Sequence, residues 1–137
     1  MHVIRLRGPW ELTPLARTVS TAAGMQEVAE GLPAGGRTQV PGDGRELLGE
    51  DFAGRARFTR RFNLPTNLDS HERVYLVIES LDARAAARLN GEPLHATPNA
   101  LTSRRHDVTA VLKLHNALEI ETIYPGDPIG EVSLEIG

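Results

Sequence analysis

The fold is decided by the stretch Leu118-Glu119-Ile120-Glu121-Thr122-Ile123-Tyr124, in which one set of alternate side chains is largely apolar and the other largely acidic. Successive side chains of a β-strand point to opposite faces, so this alternation predicts a strand with one buried and one solvent-exposed face. A period near two recurs at residues 58–62 and 132–136. Residues 73–79 are apolar on both faces, which is typical of a central strand.

Turn-forming residues separate these stretches at short intervals. Asn90-Gly91 suits the two positive-φ positions of a type I′ turn and predicts a hairpin. Proline- and asparagine-containing breaks also occur at 64–67, 97–99 and 124–128. About nine short strands at this spacing predict an all-β fold, a two-sheet antiparallel jelly-roll sandwich, with residues 1–137 forming one domain.

One segment suits a helix. Thr18–Glu30 could begin at a Ser20 or Thr21 cap, although Gly24 lowers its helix propensity. Its inward-facing residues would be Met25, Val28 and Ala29. We therefore expect at most one short helix, placed before residue 35. Residues 41–55 are rich in glycine and acidic side chains and are predicted to form a long loop of the kind that often carries function.

Composition excludes several classes of protein. The 137 residues include no cysteine, so neither disulfides nor thiolate metal sites are expected. A net charge of −3 is too balanced for a nucleic-acid partner or a polybasic membrane patch. No apolar run approaches the roughly 20 residues of a membrane span, and strand-like alternation from Met1 onward does not resemble a signal peptide. The expected location is therefore cytoplasmic by default.

Three segments, taken in order, carry a family pattern. The first is Val40-Pro41-Gly42-Asp43, followed by residues 52–62. The second runs from Leu81 through Leu89-Asn90-Gly91, and the third covers residues 107–120, with Asp107-Val108-Thr109 and Asn116-Ala117-Leu118. Together with a looser Gly8-Pro9-Trp10, these segments resemble the N-terminal sugar-binding domain of family 2 glycoside hydrolases, the β-galactosidase and β-glucuronidase group.

The resemblance implies a galactose-binding-like jelly roll without a complete catalytic apparatus. In the family, an immunoglobulin-like domain and a (β/α)₈ barrel follow this domain, the barrel supplies both catalytic glutamates, and this chain shows neither. Two aromatic positions of the family pattern are lost, since Gly44 follows the Val-Pro loop and Arg57 stands where a tryptophan is common. Both losses reduce the aromatic surface available to a sugar.

The polar side chains suggest no catalytic, metal or cofactor site. Glutamates 119, 121, 131 and 135 fall on predicted exposed strand faces, where pairing with arginines 57, 61, 84 and 88 is favoured over catalysis. The acidic residues of the long loop could surround a hard cation, but a solvated acidic loop is favoured; they are Asp43, Glu46, Glu50 and Asp51. No two of the five histidines have ligand-pair spacing. Trp10 is expected in the core.

Strand alternation locates the candidate ligand site. Loops 41–55, 81–83, 95–100 and 125–130 should meet at one end, and turns 64–72, 90–91 and 107–110 at the other. The family loop that matches 41–55 extends toward the barrel's active site, which favours the first end. The candidate ligand-binding residues there are Asp43, Arg45, Asp51, Phe52, His95 and Asn99. The function expected is a non-catalytic, weakly carbohydrate-binding module, and the alternative is a structural or protein-interaction sandwich without sugar affinity.

Overall fold

The computed structural model of the chain describes residues 1–95 and 103–137. Strands make up most of the regular structure in these ranges, and the one helix has four residues. The elements are β1 His2–Arg5, β2 Trp10–Thr21, β3 Gly24–Val28, β4 Gly36–Thr38, α1 Arg45–Leu48, β5 Gly54–Asn63, β6 Val74–Ile78, β7 Ala86–Leu89, β8 Glu92–Leu94, β9 Arg104–Asp107, β10 His115–Tyr124 and β11 Val132–Ile136.

The strands form two antiparallel sheets packed as a sandwich. The smaller sheet has the order β1-β11-β6-β9. The larger sheet has the order β3-β2-β5-β10-β7-β8, and β4 also pairs with β2. The predicted two-sheet antiparallel sandwich is therefore confirmed. No helix in the described ranges has the length and apolar character needed to cross a membrane.

The longest ladder joins β5 to β10 at the centre of the larger sheet. It contains ten consecutive pairs, from Gly54 opposite Tyr124 to Asn63 opposite His115. Phe58, Leu118 and Ile120 point inward and are fully buried, as the alternation in residues 118–124 predicts. Trp10 is also fully buried, and its indole N–H donates to the Leu6 carbonyl at 2.8 Å, which confirms its place in the core.

The helix predicted over Thr18–Glu30 is wrong. Residues 18–21 end β2, residues 24–28 form β3, and the two strands pair as a hairpin. Thr21 closes the turn: its hydroxyl accepts from the Ala23 N–H at 3.2 Å and donates to the Gly24 carbonyl at 2.8 Å. Gly24 has φ +113°, which no helix accommodates, and Met25 is 69% exposed rather than inward-facing. The only helix in the described ranges is α1, inside the segment that was predicted to be all loop.

The turns at Asn90-Gly91 and Asp107-Val108-Thr109 have the structural roles that the sequence predicts. Asn90 and Gly91 both have positive φ, at 54° and 84°, as a type I′ turn requires. The Asn90 side chain accepts from the Ala117 N–H at 2.9 Å. Asp107 accepts from the Thr109 N–H at 3.0 Å, so this Asp-Val-Thr segment turns the chain as expected.

Substituting Gly91 by valine should destabilise the fold by about 1 kcal/mol or more, because a β-branched residue resists positive φ. A Cβ at Gly91 would have no atom within 4 Å apart from those of its two chain neighbours, so the cost should come from the backbone and not from a clash. Gly91→Asn is the matched control, since asparagine tolerates this conformation. Urea unfolding of the three proteins measures the difference, and equal stability of Gly91→Val and the parent chain would contradict the hairpin's role.

Candidate functional site

Three loops converge at one end of the sandwich, here called the loop end: residues 41–53, 81–85 and 125–130. Gly42 and Ile129 exchange two backbone hydrogen bonds of 2.9 and 3.0 Å. The Asp127 N–H donates to the Asp82 carboxylate at 3.1 Å. These contacts confirm that the three loops meet, as strand alternation predicts. Of the predicted 95–100 loop, only His95 lies within the described residues.

Tyr124, the last residue of β10, contacts three residues of loop 41–53. Its hydroxyl donates to the Asp43 carbonyl at 2.6 Å. Phe52 packs edge-on against the Tyr124 ring, with centroids 5.4 Å apart and planes at 78°. The Arg45 guanidinium lies 5.4 Å from the centre of the same ring, within cation–π range. Tyr124 therefore fixes Asp43, Arg45 and Phe52 in one cluster.

Arg45 links the two halves of loop 41–53 by hydrogen bonds. Its guanidinium donates to the Glu50 carbonyl at 2.6 Å and to the Gly49 carbonyl at 3.3 Å. The Asp43 carboxylate lies 3.6 Å from Arg45 Nε and also accepts from the Arg45 N–H at 3.1 Å. Because only 19% of the Arg45 side chain is exposed, much of its donor capacity is used inside the loop.

The environment of Tyr124 keeps its hydroxyl protonated. Burial raises the pKa of Tyr124 well above its ordinary value, and the negative charge of nearby Asp43 adds to this effect. Arg45 opposes the shift but does not outweigh it. The protonated hydroxyl can therefore donate its hydrogen bond to the Asp43 carbonyl at neutral pH.

A second polar cluster ties loop 81–85 to loop 125–130. One Asp82 oxygen accepts from the Arg84 N–H and Nε at 2.9 and 3.0 Å. The other accepts from Arg84 Nη2 at 2.9 Å and from the Asp127 N–H at 3.1 Å. Arg84 also donates to the Pro125 carbonyl at 2.9 Å. The Arg84 side chain, followed by the backbone N–H groups, holds the pKa of Asp82 well below its usual range, so this carboxyl stays ionised.

The predicted site residues are only partly brought together. Asp43, Arg45 and Phe52 belong to the Tyr124 cluster, and Asp51 is exposed beside Phe52. His95 follows β8 at the sheet edge, where it lines a separate shallow hollow of about 240 Å³. Asn99 lies outside the described residues.

Sequence reasoning missed two groups that build the loop end. Tyr124 was expected only as a core residue, although its position just before Pro125-Gly126 marks it as a strand end that faces the loops. The Asp82–Arg84 pair lay inside a family-like segment, but its role depends on the contact with Asp127, 45 residues away. No local pattern encodes that contact.

Gly44 explains one of the lost aromatic positions. It has φ +73° and is buried where α1 begins. A Cβ at this position would lie 2.5 Å from Leu12 Cδ2 and 3.2 Å from Phe58 Cζ. An aromatic side chain therefore does not fit at Gly44 with this loop conformation. The other position, Arg57, points outward and lies 3.4 Å from the Glu119 carboxylate.

The carboxylates that were considered for catalysis lie in ion pairs on the sheet faces. Glu121 bonds to Arg55 at 2.8 Å, Glu131 to Arg7 at 3.2 Å, and Glu135 to Arg105. In the acidic loop, Asp43 faces Arg45 while Glu46 accepts from the Thr38 hydroxyl. Across residues 1–95 and 103–137, no three histidine or acidic side chains gather in an arrangement that could hold a metal ion.

The chain matches the family model described as the glycosyl hydrolase 2 galactose-binding domain-like domain over residues 25–128. It therefore belongs to this family. The match spans most of the chain, including α1, the β5–β10 ladder and the Asp82 cluster. No curated protein matches the chain.

Solved β-glucuronidases share the fold. An enzyme from an uncultured Clostridium sp. superposes with a TM-score of 0.69 at 16% identity, covering 97% of this chain and 28% of its own. The Bifidobacterium dentium enzyme, complexed with coumarin-3-O-glucuronide, gives a TM-score of 0.65 at 23% identity, covering 89% of this chain and 20% of its own. A Ruminococcus gnavus enzyme in complex with uronic isofagomine gives 0.67 at 15% identity, covering 98% and 28%. The chain thus spans less than a third of each of these proteins.

Replacing Asp82 by asparagine should lower the free energy of unfolding by roughly 2 kcal/mol at pH 7, because an amide NH₂ cannot accept the bonds that one carboxylate oxygen accepts. A carboxyl whose pKa is lowered by folding stabilises the fold above its unfolded pKa of about 4 and loses that contribution as pH falls. The gap between the variant and the parent chain should therefore narrow progressively below pH 4 in urea unfolding curves. Asp127→Asn is the control, since Asp127 joins the cluster through its backbone N–H. A gap that is constant with pH would contradict the ionised role of Asp82.

Proposed function

We propose that this chain is a non-catalytic carbohydrate-binding module, folded as one domain over residues 1–137, whose ligand site is the loop end. The observation that carries the proposal is the galactose-binding domain-like family match over residues 25–128. The named fold neighbours are enzymes that act on glucuronides, which adds a glycan context but no site.

The chemistry of the loop end suits hydroxyl groups. Asp51 is exposed and Asp43 is partly exposed, and carboxylate oxygens accept hydrogen bonds from sugar hydroxyls. Phe52 is a partly buried ring beside them, and a ring can cover the apolar face of a pyranose. His95 and Asn99 belong to the proposed site on the sequence argument alone.

Affinity should be low because the cluster satisfies itself internally. Arg45 already donates to loop carbonyls and contacts Asp43, so only part of its capacity remains for a ligand. Each sugar hydrogen bond replaces one made with water and nets only about 0.5–1.5 kcal/mol. With one partly buried ring, binding of a monosaccharide should be near millimolar, on the order of 4 kcal/mol.

The same internal satisfaction favours a second candidate function. A sandwich whose loop-end arginine and tyrosine serve the loop, and whose two family aromatic positions are Gly44 and Arg57, suits a structural or protein-interaction role without sugar affinity. The two functions predict different titrations: a carbohydrate-binding module should show sugar-dependent shifts in the amide signals of residues 41–55, and an interaction module should not.

A titration of the ¹⁵N-labelled chain with galactose, glucuronate and short oligosaccharides should shift amide signals clustered in residues 41–55 and 125–130. Asp51→Asn and Phe52→Ala should each weaken the response several-fold, because they remove an acceptor and the ring. Glu92→Gln is the matched control, an exposed carboxylate of β8 that forms no ion pair with a described residue. Shifts centred on residues 64–72 and 107–110 would refute the location, and no response to any sugar would favour the interaction role.

The purified chain should not hydrolyse aryl glycosides. Glycoside hydrolysis needs two carboxyl groups roughly 5–10 Å apart across the bond to be cleaved, and Glu119 and Glu121 are instead paired with arginines on a sheet face. Release of nitrophenol from a panel of nitrophenyl glycosides measures this activity. Turnover that disappears in Glu119→Gln or Glu121→Gln would overturn the non-catalytic proposal.

A further inference from the structure

A groove lies between the edge strand β1 and the last residues of β5. It has a volume of about 590 Å³, within the usual range for binding sites. Its apolar floor is formed by Ile4, Leu6 and Phe62, and arginines 5, 60 and 61 stand around it. We call this feature the β1 groove.

The β1 groove is positively charged although the chain as a whole is negative. No aspartate or glutamate lines it. Arg5 and the adjacent Arg7 share one carboxylate, that of Glu131, at 3.5 and 3.2 Å. Arg61 is exposed and forms no ion pair within the described residues.

The Arg60 guanidinium is fixed in position by two backbone carbonyls. Its Nε donates to the Arg7 carbonyl at 2.8 Å and its Nη1 donates to the Arg61 carbonyl. A guanidinium has five N–H donors, so Arg60 keeps donors for a ligand while its position is fixed by the backbone. Such a guanidinium recognises a carboxylate with little further loss of side-chain freedom.

β1 also offers unpaired backbone groups along the groove. The Leu6 N–H donates to the Val132 carbonyl at 2.8 Å. Ile4 and His2 lie two and four residues earlier, opposite Leu134 and Ile136, so their backbone groups also face β11. Residues of an antiparallel strand alternate between bonding the neighbour and pointing away from it. Val3 and Arg5 therefore direct their N–H and C=O groups to the outer edge, which has no partner strand among the described residues.

We propose that the β1 groove binds an extended, acidic segment of a protein partner, which adds to the smaller sheet as a strand beside β1. The backbone of that segment pairs with Val3 and Arg5, its apolar side chains cover Ile4 and Phe62, and its carboxylates bond to Arg60 and Arg61. Charge complementarity selects this occupant over a second copy of the chain, which would bring its own arginines to the same edge. The open amide groups select it over a sulfated polysaccharide, which has no peptide backbone to pair with them.

Amide hydrogen exchange and peptide binding test the proposal on the intact chain. The probe is a fluorescein-labelled ten-residue peptide that alternates glutamate with valine and threonine, and the same peptide with lysine for glutamate is the charge control. In the free chain, the Val3 and Arg5 amides should exchange faster than those of Ile4 and Leu6. The acidic peptide should bind by anisotropy, slow the exchange of Val3 and Arg5, and bind less tightly at higher salt.

Three variants separate the parts of the interaction. Arg61→Glu should weaken peptide binding about tenfold or more, because it replaces a charge-assisted bond by repulsion. Val3→Pro should weaken it about tenfold by removing an N–H that faces the edge, while the ladder with β11 stays intact. Arg88→Glu is the matched control, an exposed arginine on β7 that does not line the groove, and it should leave binding unchanged. Circular dichroism confirms that each variant is folded.

The outcomes are decisive. Failure of the acidic peptide to bind the parent chain, equal binding of the lysine peptide, or undiminished binding by folded Arg61→Glu would overturn the proposal. Binding of dextran sulfate, lost in Arg61→Glu but kept in Val3→Pro, without peptide binding, would replace the peptide by a polyanion. Self-association through β1 in sedimentation experiments, abolished by Val3→Pro, would replace it by a second copy. A sugar response at residues 41–55 neither supports nor weakens these results, because no residue of loops 41–53, 81–85 or 125–130 lines the β1 groove.

Discussion

The ten-pair ladder between β5 and β10 is the constraint on which the rest of the structure depends. Because its side chains alternate with a period of two, its register decides which residues form the core and which form the surface. A slip by one residue would bury Glu119 and Glu121 and expose Leu118 and Ile120. The neighbouring strands inherit this register, since β2 pairs with β5 and β7 pairs with β10.

The same ladder carries part of two different surfaces. At one end, Tyr124 stands opposite Gly54 and carries the loop that contains Asp43 and Arg45. At the other end, Phe62 lies opposite Asn116 and forms part of the floor of the β1 groove. The loop end carries carboxylates together with Arg45 and Arg84, whereas arginines and no carboxylate line the β1 groove. A ligand at the loop end and a partner in the β1 groove would therefore contact different residues.

The features that could be predicted from the sequence are those that neighbouring residues encode by themselves. Residues 118–124 encode their own periodicity, and Asn90-Gly91 encodes its own turn, so both predictions were confirmed. Thr18–Glu30 failed because the spacing of its few apolar residues also suits a helix, while the β-branched residues Thr18, Val19 and Thr21 favoured a strand.

The candidate site shows the same limit. Asp43, Arg45 and Phe52 could be grouped because strand alternation brings their loop to one end. The bonds from Arg84 and Asp127 to Asp82 could not be predicted, since they depend on how two distant loops meet. The β1 groove was missed for a related reason. Whether the backbone N–H and C=O groups of Val3 and Arg5 have a partner strand depends on which strand lies at the edge of the sheet, and no local sequence pattern encodes that order.

Trp10, the only tryptophan, gives the molecule a built-in fluorescent probe. Its indole is fully buried and donates to the Leu6 carbonyl, so we expect emission typical of a tryptophan shielded from water. A red shift in that emission would mark water entering between the two layers, whatever is bound at either end.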